Sequence, residues 1–69
     1  MEEVEIAPGG PLVGRTVGEL RDDGIFALAI VRGDRDYEPN PAADRVLVAG
    51  ENLIVSGSAE TLRDLRGRA

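Results

Sequence analysis

Three carboxylates alternate along one short stretch of the chain: Asp34, Asp36 and Glu38 in the segment GDRDYE. Alternate side chains of an extended segment point to the same side, so these three could hold a hard cation such as calcium through oxygen ligands. The stretch does not complete an EF-hand loop, because the required glycine and the distal glutamate are missing. The alternative interpretation is a solvated hairpin face. A divalent cation therefore stands as one possible regulatory ligand.

The residue types that most enzymes use for chemistry are missing, since the sequence contains no histidine, cysteine or lysine. General acid–base catalysis most often uses histidine, and covalent catalysis needs a serine, cysteine or lysine beside a base. Ser56 and Ser58 lie at a predicted strand-to-helix junction, where helix capping accounts for at least one of them. We therefore expect a protein that is not an enzyme and requires no cofactor.

Size is the next constraint, because 69 residues form one small domain, residues 1–69. A chain this short buries only about 60% of the surface that its unfolded form exposes, so its stability is marginal. Without cysteine or histidine, disulfides and ordinary zinc sites cannot reinforce the fold. Self-association is the remaining source of buried apolar area, and we expect a homodimer.

Charge and hydropathy exclude several classes of protein. The formal net charge of −5 argues against a nucleic-acid-binding protein, which needs a basic surface. No apolar run approaches 18 residues, so we expect no direct membrane insertion. The acidic start MEEVEI differs from the basic start of a secretory signal. These features predict a cytoplasmic protein.

The first half of the chain predicts a strand, a short helix and a second strand. The polar–apolar alternation of EEVEIA indicates the first strand. Thr16 and Glu19 have the spacing of a capping box, and Gly24 ends the helix that they begin. The near-continuous apolar run IFALAIVR, residues 25–32, predicts a strand buried on both faces.

The second half predicts further strands and a closing helix. Pro39 and Pro41 interrupt an extended segment, so any strand there must be short or at an edge. Residues 45–57 read as two short strands that meet at an Ala-Gly-Glu-Asn turn, and Ser58 caps a last helix. Leu62 and Leu65 face inward from that helix. The predicted fold is α+β, in the order β-α-β-β-β-α, with a mixed sheet and two short helices.

Five segments in this order resemble the TrkA-C domain, the C-terminal domain of RCK-type regulators of potassium conductance. They are LVGRTVGEL, ALAIVRG, PNP, VLVAGENLIVSG and ETLRDL, and they cover roughly residues 2–66. The resemblance implies a dimeric regulatory domain of a potassium or other cation transport system. Its expected partners are a membrane cation transporter or channel, or a Rossmann-type RCK N-terminal domain. No Gly-x-Gly-x-x-Gly motif follows a strand here, so this chain does not contain that Rossmann domain.

The resemblance also implies a ligand-binding site at the dimer interface, because several members of the family bind cyclic di-AMP there. Ile30, Val31 and Arg32 would form one wall, and Asn40 and Pro41 the other. A guanidinium group matches phosphate oxygens, of which a cyclic dinucleotide carries two sets. In the alternative interpretation, Arg32 pairs with a nearby acid and the Asn-Pro segment only shapes a turn. The neighbouring carboxylates would also repel a dianion.

Three functional hypotheses follow from these residues. The leading one is a dimeric domain that senses a small cytosolic ligand, with cyclic di-AMP as the first choice. The second is a passive assembly module that only joins two larger chains. The third keeps the sensing role but replaces the nucleotide with a divalent cation held by the three alternating carboxylates.

Overall fold

The computed structural model describes residues 1–34 and 36–68, which form four strands and two helices. The elements are β1 (Glu2–Glu5), α1 (Val17–Asp22), β2 (Phe26–Arg32), β3 (Asp36–Pro39), β4 (Asn52–Ser56) and α2 (Ala59–Arg68). The predicted α+β class and the order β-α-β-β-β-α are confirmed. The domain boundaries of 1–69 stay a prediction.

The four strands form a single sheet in the order β1-β4-β2-β3, and every neighbouring pair is antiparallel. The prediction of a mixed sheet was therefore wrong. The crossover through α1 does make β1 and β2 run in the same direction, but β4 lies between them and pairs with both. Strands that share a direction are thus never neighbours.

Local sequence signals set both helices as predicted. The Glu19 N–H donates to Thr16 Oγ1 at 3.2 Å, and Glu19 Oε1 accepts from the Thr16 N–H at 2.9 Å, which completes the capping box. Gly24 follows the end of α1 with φ +86°, a left-handed conformation that suits glycine. Ser58 Oγ accepts from the Thr61 N–H at 3.1 Å at the start of α2. Within the described residues, neither helix is long and apolar enough to cross a membrane.

The core lies between one face of the sheet and the two helices. The buried side chains form one cluster: Val4, Ile6, Leu12, Val17, Leu20, Ile25, Ile30, Leu47, Leu53, Val55, Leu62 and Leu65. The inward orientation predicted for Leu62 and Leu65 is confirmed, since they are 5% and 0% exposed.

The prediction that β2 is buried on both faces was wrong. Phe26 and Leu28 are 48% and 43% exposed, because within the described chain both helices pack on the other side of the sheet. A bulge between Ala27 and Ala29 further shifts the pairing of β2 with β4. Apolar side chains are therefore exposed on the outer face of the sheet.

Residues 45–49 also differ from prediction, because they form no strand of the sheet. This segment makes only an isolated bridge, between Thr16 and Val46. The Leu47 N–H donates to the carbonyl of Arg15 at 2.8 Å, and the Val17 N–H donates to the carbonyl of Arg45 at 3.0 Å. These bonds join the segment to the entry of α1. The prediction of a short edge strand is confirmed by β3, which occupies one end of the strand order.

Candidate functional site

A buried carboxylate, Glu51, lies at the centre of the charged network of this domain. The residue directly precedes β4 and is only 1% exposed. Arg45 Nη2 lies 2.6 Å from Glu51 Oε2, and the Val48 N–H donates to Oε1 at 2.9 Å. Arg32 Nη2 forms a further ion pair with Oε2, at 3.0 Å. Each carboxylate oxygen therefore has a partner, as a buried charge requires.

Arg45 connects this carboxylate to the edge of the sheet. Its Nε lies 3.1 Å from Glu38 Oε1 on β3, and its Nη1 donates to the carbonyl of Val46. The side chain is 18% exposed, so most of it is shielded from solvent. The segment before β4 is thus tied to β3 by side-chain contacts.

These contacts change the proton affinity of both partners. Burial by itself raises the pKa of Glu51, but the hydrogen bonds from Arg45 and Val48 and the charges of Arg45 and Arg32 outweigh it and lower the pKa below its usual value. The hydrogen bond to Glu51 raises the pKa of Arg45. Both groups are therefore charged at neutral pH.

Arg32 differs from Arg45 in its exposure. It is the last residue of β2, and its side chain is 60% exposed while the carboxylate that it contacts is buried. Arg32 and Arg45 each place a guanidinium nitrogen within 3.0 Å of the same oxygen, Oε2 of Glu51. Two cations thus converge on one anionic oxygen, and one of them also faces solvent.

The network borders an open groove of about 370 Å³ at the β3 edge of the sheet. The groove is lined by Ile30, Arg32, Asp36, Tyr37, Glu38 and Arg45. Two guanidinium groups and two carboxylates face this space, so its chemistry suits a polar or charged ligand that can compete with existing ion pairs.

The structure separates the residues that were predicted to line a ligand site. Ile30 pairs with Glu38 across β2 and β3, whereas Val31 pairs with Tyr37, so Ile30 and Val31 lie on opposite faces of the sheet. Ile30 is 2% exposed and belongs to the core, although it also borders the groove. Of the three residues predicted for the first wall, Ile30 and Arg32 line the groove, and Arg32 is the one with a polar side chain.

The second predicted wall lies at the other end of β3. The Asn40 N–H donates to the carbonyl of Leu28 at 2.9 Å, and Asn40 has φ +51°. Leu28 precedes Arg32 by four residues, so Asn40 and Arg32 are separated by roughly 13 Å along the strand. Asn40 is exposed and Pro41 is buried. The backbones of Arg32 and Asn40 therefore lie at opposite ends of β3.

The three alternating carboxylates do not converge. Asp36 and Glu38 occupy β3, Asp34 lies in the turn before it, and Glu38 contacts Arg45. Among residues 1–34 and 36–68, no group of three or more His, Cys, Asp or Glu side chains is placed to hold a metal ion. The cation site stays a prediction, and this geometry does not favour it.

Sequence reasoning missed Glu51 and Arg45, the two residues at the centre of the network. Glu51 was assigned to a turn, where acids are usually solvated. The one available signal was a single acid between two apolar runs, six residues after an arginine. The alternative interpretation of Arg32, that it pairs with a nearby acid, describes the contact with Glu51.

The family model of the TrkA-C domain matches residues 1–68. The chain belongs to the TrkA-C domain family. This membership confirms the resemblance found in the five sequence segments.

Two Bacillus subtilis proteins are similar in sequence to this TrkA-C domain. YrvC is 30% identical over 60 residues, which cover 83% of this chain and 36% of YrvC. KhtT, a K⁺/H⁺ antiporter subunit, is 28% identical over 68 residues, covering 94% of this chain and 41% of KhtT. The chain thus spans less than half the length of either relative.

A solved structure has the same fold. The RCK_C domain dimer of S. agalactiae BusR, in complex with c-di-AMP, superposes with a TM-score of 0.75. The match covers 96% of this chain and 90% of the BusR chain at 17% sequence identity. At that identity, the similarity concerns the fold.

Proposed function

We propose that this TrkA-C domain is the dimeric sensor of a cation transport system, and that it binds cyclic di-AMP between two copies of the chain in the cytoplasm. The antiporter-subunit relative and the c-di-AMP-bound dimer of similar fold support this choice of system and ligand. The single observation that carries the proposal is the exposed guanidinium group of Arg32 at the mouth of a charged groove.

The spacing of the polar groups favours a ligand with two phosphates. The backbones of Arg32 and Asn40 are roughly 13 Å apart along the strand in one chain, a separation that suits an extended ligand better than a small anion. A cyclic dinucleotide presents two phosphates and two bases, and in a two-fold dimer it meets the same residues twice. Arg32 then contacts a phosphate, while Asn40 contacts a base or the second half of the ligand.

A dimer also covers the outer face of the sheet. Phe26, Leu28 and Tyr37 are 48%, 43% and 61% exposed. A domain of this size gains stability by burying such side chains against a second copy. Cyclic di-AMP that prefers one arrangement of the two copies would shift their populations, and an attached transporter subunit would respond to that shift.

The deciding experiment is a binding titration with cyclic di-AMP, followed by calorimetry and by thermal melting at fixed protein concentration. At a hundred times its dissociation constant, the ligand should stabilise the domain by about 2.7 kcal/mol and raise the melting midpoint by about ten degrees. Arg32→Ala should lose binding, whereas Arg63→Ala, at an exposed position on α2, should retain it. Equal affinity in both variants would place the site elsewhere.

The second candidate function is a ligand-free assembly module. The contact between Arg32 and Glu51 favours it, because Arg32 already has an ion-pair partner in its own chain on one side of the guanidinium group. In that case cyclic di-AMP would leave both the melting midpoint and the dimer geometry unchanged.

A further inference from the structure

Glu51 occupies the position that an anionic ligand would take between the two arginines. Its Oε2 lies 2.6 Å from Arg45 Nη2 and 3.0 Å from Arg32 Nη2. Guanidinium groups bind carboxylates and phosphates with the same geometry and charge. The domain therefore contains a two-arginine anion site whose occupant is its own carboxylate.

Arg45 makes more contacts within the domain than Arg32 does, and its side chain is less exposed. Arg45 contacts Glu38 and the Val46 carbonyl as well as Glu51, and it is 18% exposed. Arg32 is 60% exposed, and Glu51 is its ion-pair partner within the described residues. An incoming anion therefore needs less free energy to displace Glu51 from Arg32 than from Arg45.

We propose that Glu51 is an internal competitor for the ligand, so that Arg32 exchanges the Glu51 carboxylate for a ligand phosphate while Arg45 keeps Glu51 in place. No covalent bond changes in this exchange. Glu51 keeps Arg45 on Oε2 and the Val48 N–H on Oε1, so its charge stays paired after Arg32 moves. The exchange presupposes the proposed anion-binding role of Arg32.

This competition sets the affinity of the site. In this exchange, ligand binding breaks the contact between Arg32 and Glu51, so the ligand binds more weakly than it would to a free arginine. Glu51→Gln removes the competing charge but keeps an oxygen that can accept from Arg45. We expect this variant to bind cyclic di-AMP about five-fold more tightly, which corresponds to ~1 kcal/mol.

The matched control is Glu38→Gln, which removes a charge from the same groove but from a carboxylate that contacts Arg45 rather than Arg32. Its affinity should stay within about two-fold of that of the unaltered domain. Equal gains in the two variants would show general charge repulsion and would overturn the exchange. An unchanged affinity in Glu51→Gln would also overturn it, while leaving the proposed function intact.

Two further measurements keep the test decisive. In a structure of the unaltered domain with cyclic di-AMP, Arg32 Nη2 should lie beyond 4 Å from Glu51 Oε2, the limit of an ion pair. Retention of the present contact would overturn the exchange even where Glu51→Gln fails to fold.

Inorganic pyrophosphate serves as a second probe in case cyclic di-AMP does not bind. Tighter pyrophosphate binding by Glu51→Gln would then support the exchange and reject the cyclic dinucleotide, and no binding by either protein would overturn both.

Discussion

Arg45 contacts both carboxylate oxygens of Glu51, with Nη2 at 2.6 Å from Oε2 and Nη1 at 3.4 Å from Oε1. This paired contact joins the loop after β3 to the residue that directly precedes β4. Glu51 is a buried negative charge, and the positive charge of Arg45 neutralises it. Arg45 also lines the groove, so we expect both the stability of the domain and the chemistry of its groove to depend on this contact.

Removal of the Glu51 carboxylate should destabilise the domain strongly. Glu51→Ala leaves the largely buried side chain of Arg45 without its main partner, and breaking such a pair costs about 3 kcal/mol. Urea denaturation at fixed protein concentration would measure the loss. Glu3→Ala, at an exposed position on β1, should change the free energy of unfolding by less than about 0.5 kcal/mol. Similar losses in both variants would contradict a structural role for the pair.

The same pair predicts how stability depends on pH. The pKa of Glu51 is lowered in the folded state, so the unfolded chain binds a proton more readily than the folded one. The contribution of Glu51 is complete above its unfolded pKa and is lost as the pH falls through the folded pKa. The stability difference between the unaltered domain and Glu51→Gln should be constant from pH 6 to 8 and shrink in acid, as followed by denaturation at each pH. A constant difference down to pH 3 would contradict this linkage.

The capping box at α1 gives a third prediction. Thr16→Ala removes the oxygen that accepts from the Glu19 N–H and should cost about 1 kcal/mol. Thr16→Ser keeps that oxygen and should cost only a small part of this. Thermal melting of the two variants would compare them directly. Equal losses would mean that the methyl group of Thr16, rather than its hydroxyl group, stabilises this turn.

Gly57 makes a close approach that a larger residue should disturb. A Cβ atom at this position would lie 2.9 Å from the carbonyl oxygen of Gly24, a backbone atom that cannot move independently. Gly57→Ala should therefore destabilise the domain by about 1–3 kcal/mol. Gly67→Ala in α2, where a Cβ atom meets nothing within 4 Å, should be neutral or slightly stabilising. Denaturation curves of the two variants would test the difference.

The outer face of the sheet predicts the effect of a charge on self-association. Leu28→Glu places a carboxylate among the exposed apolar side chains and should weaken the proposed dimer at least about thirty-fold, or ~2 kcal/mol. Val46→Glu, at a position 48% exposed outside the sheet, is the control and should leave the dimer intact. Sedimentation velocity over a range of concentrations would measure both. A dimer that tolerates Leu28→Glu would use a different surface.

The parts of the fold that local sequence determines could be predicted. The capping box joins residues three apart, and the inward face of α2 follows from the spacing of Leu62 and Leu65, so both could be read without knowledge of the tertiary structure. The partners of Glu51 could not be predicted from local sequence. Arg32 is 19 residues away in sequence, and the contact exists only because β4 pairs with β2. The same insertion of β4 between β1 and β2 explains why the sheet is antiparallel rather than mixed.

The position of β4 has a consequence for the order of folding during synthesis. Of the four described strands β4 is the last to be translated, yet it is the one that joins β1 to β2. A nascent chain that ends before Asn52 can form the β2–β3 hairpin but has no strand to hold β1. An isolated hairpin is only marginally stable in water. The four-stranded sheet therefore cannot be completed until β4 has been translated.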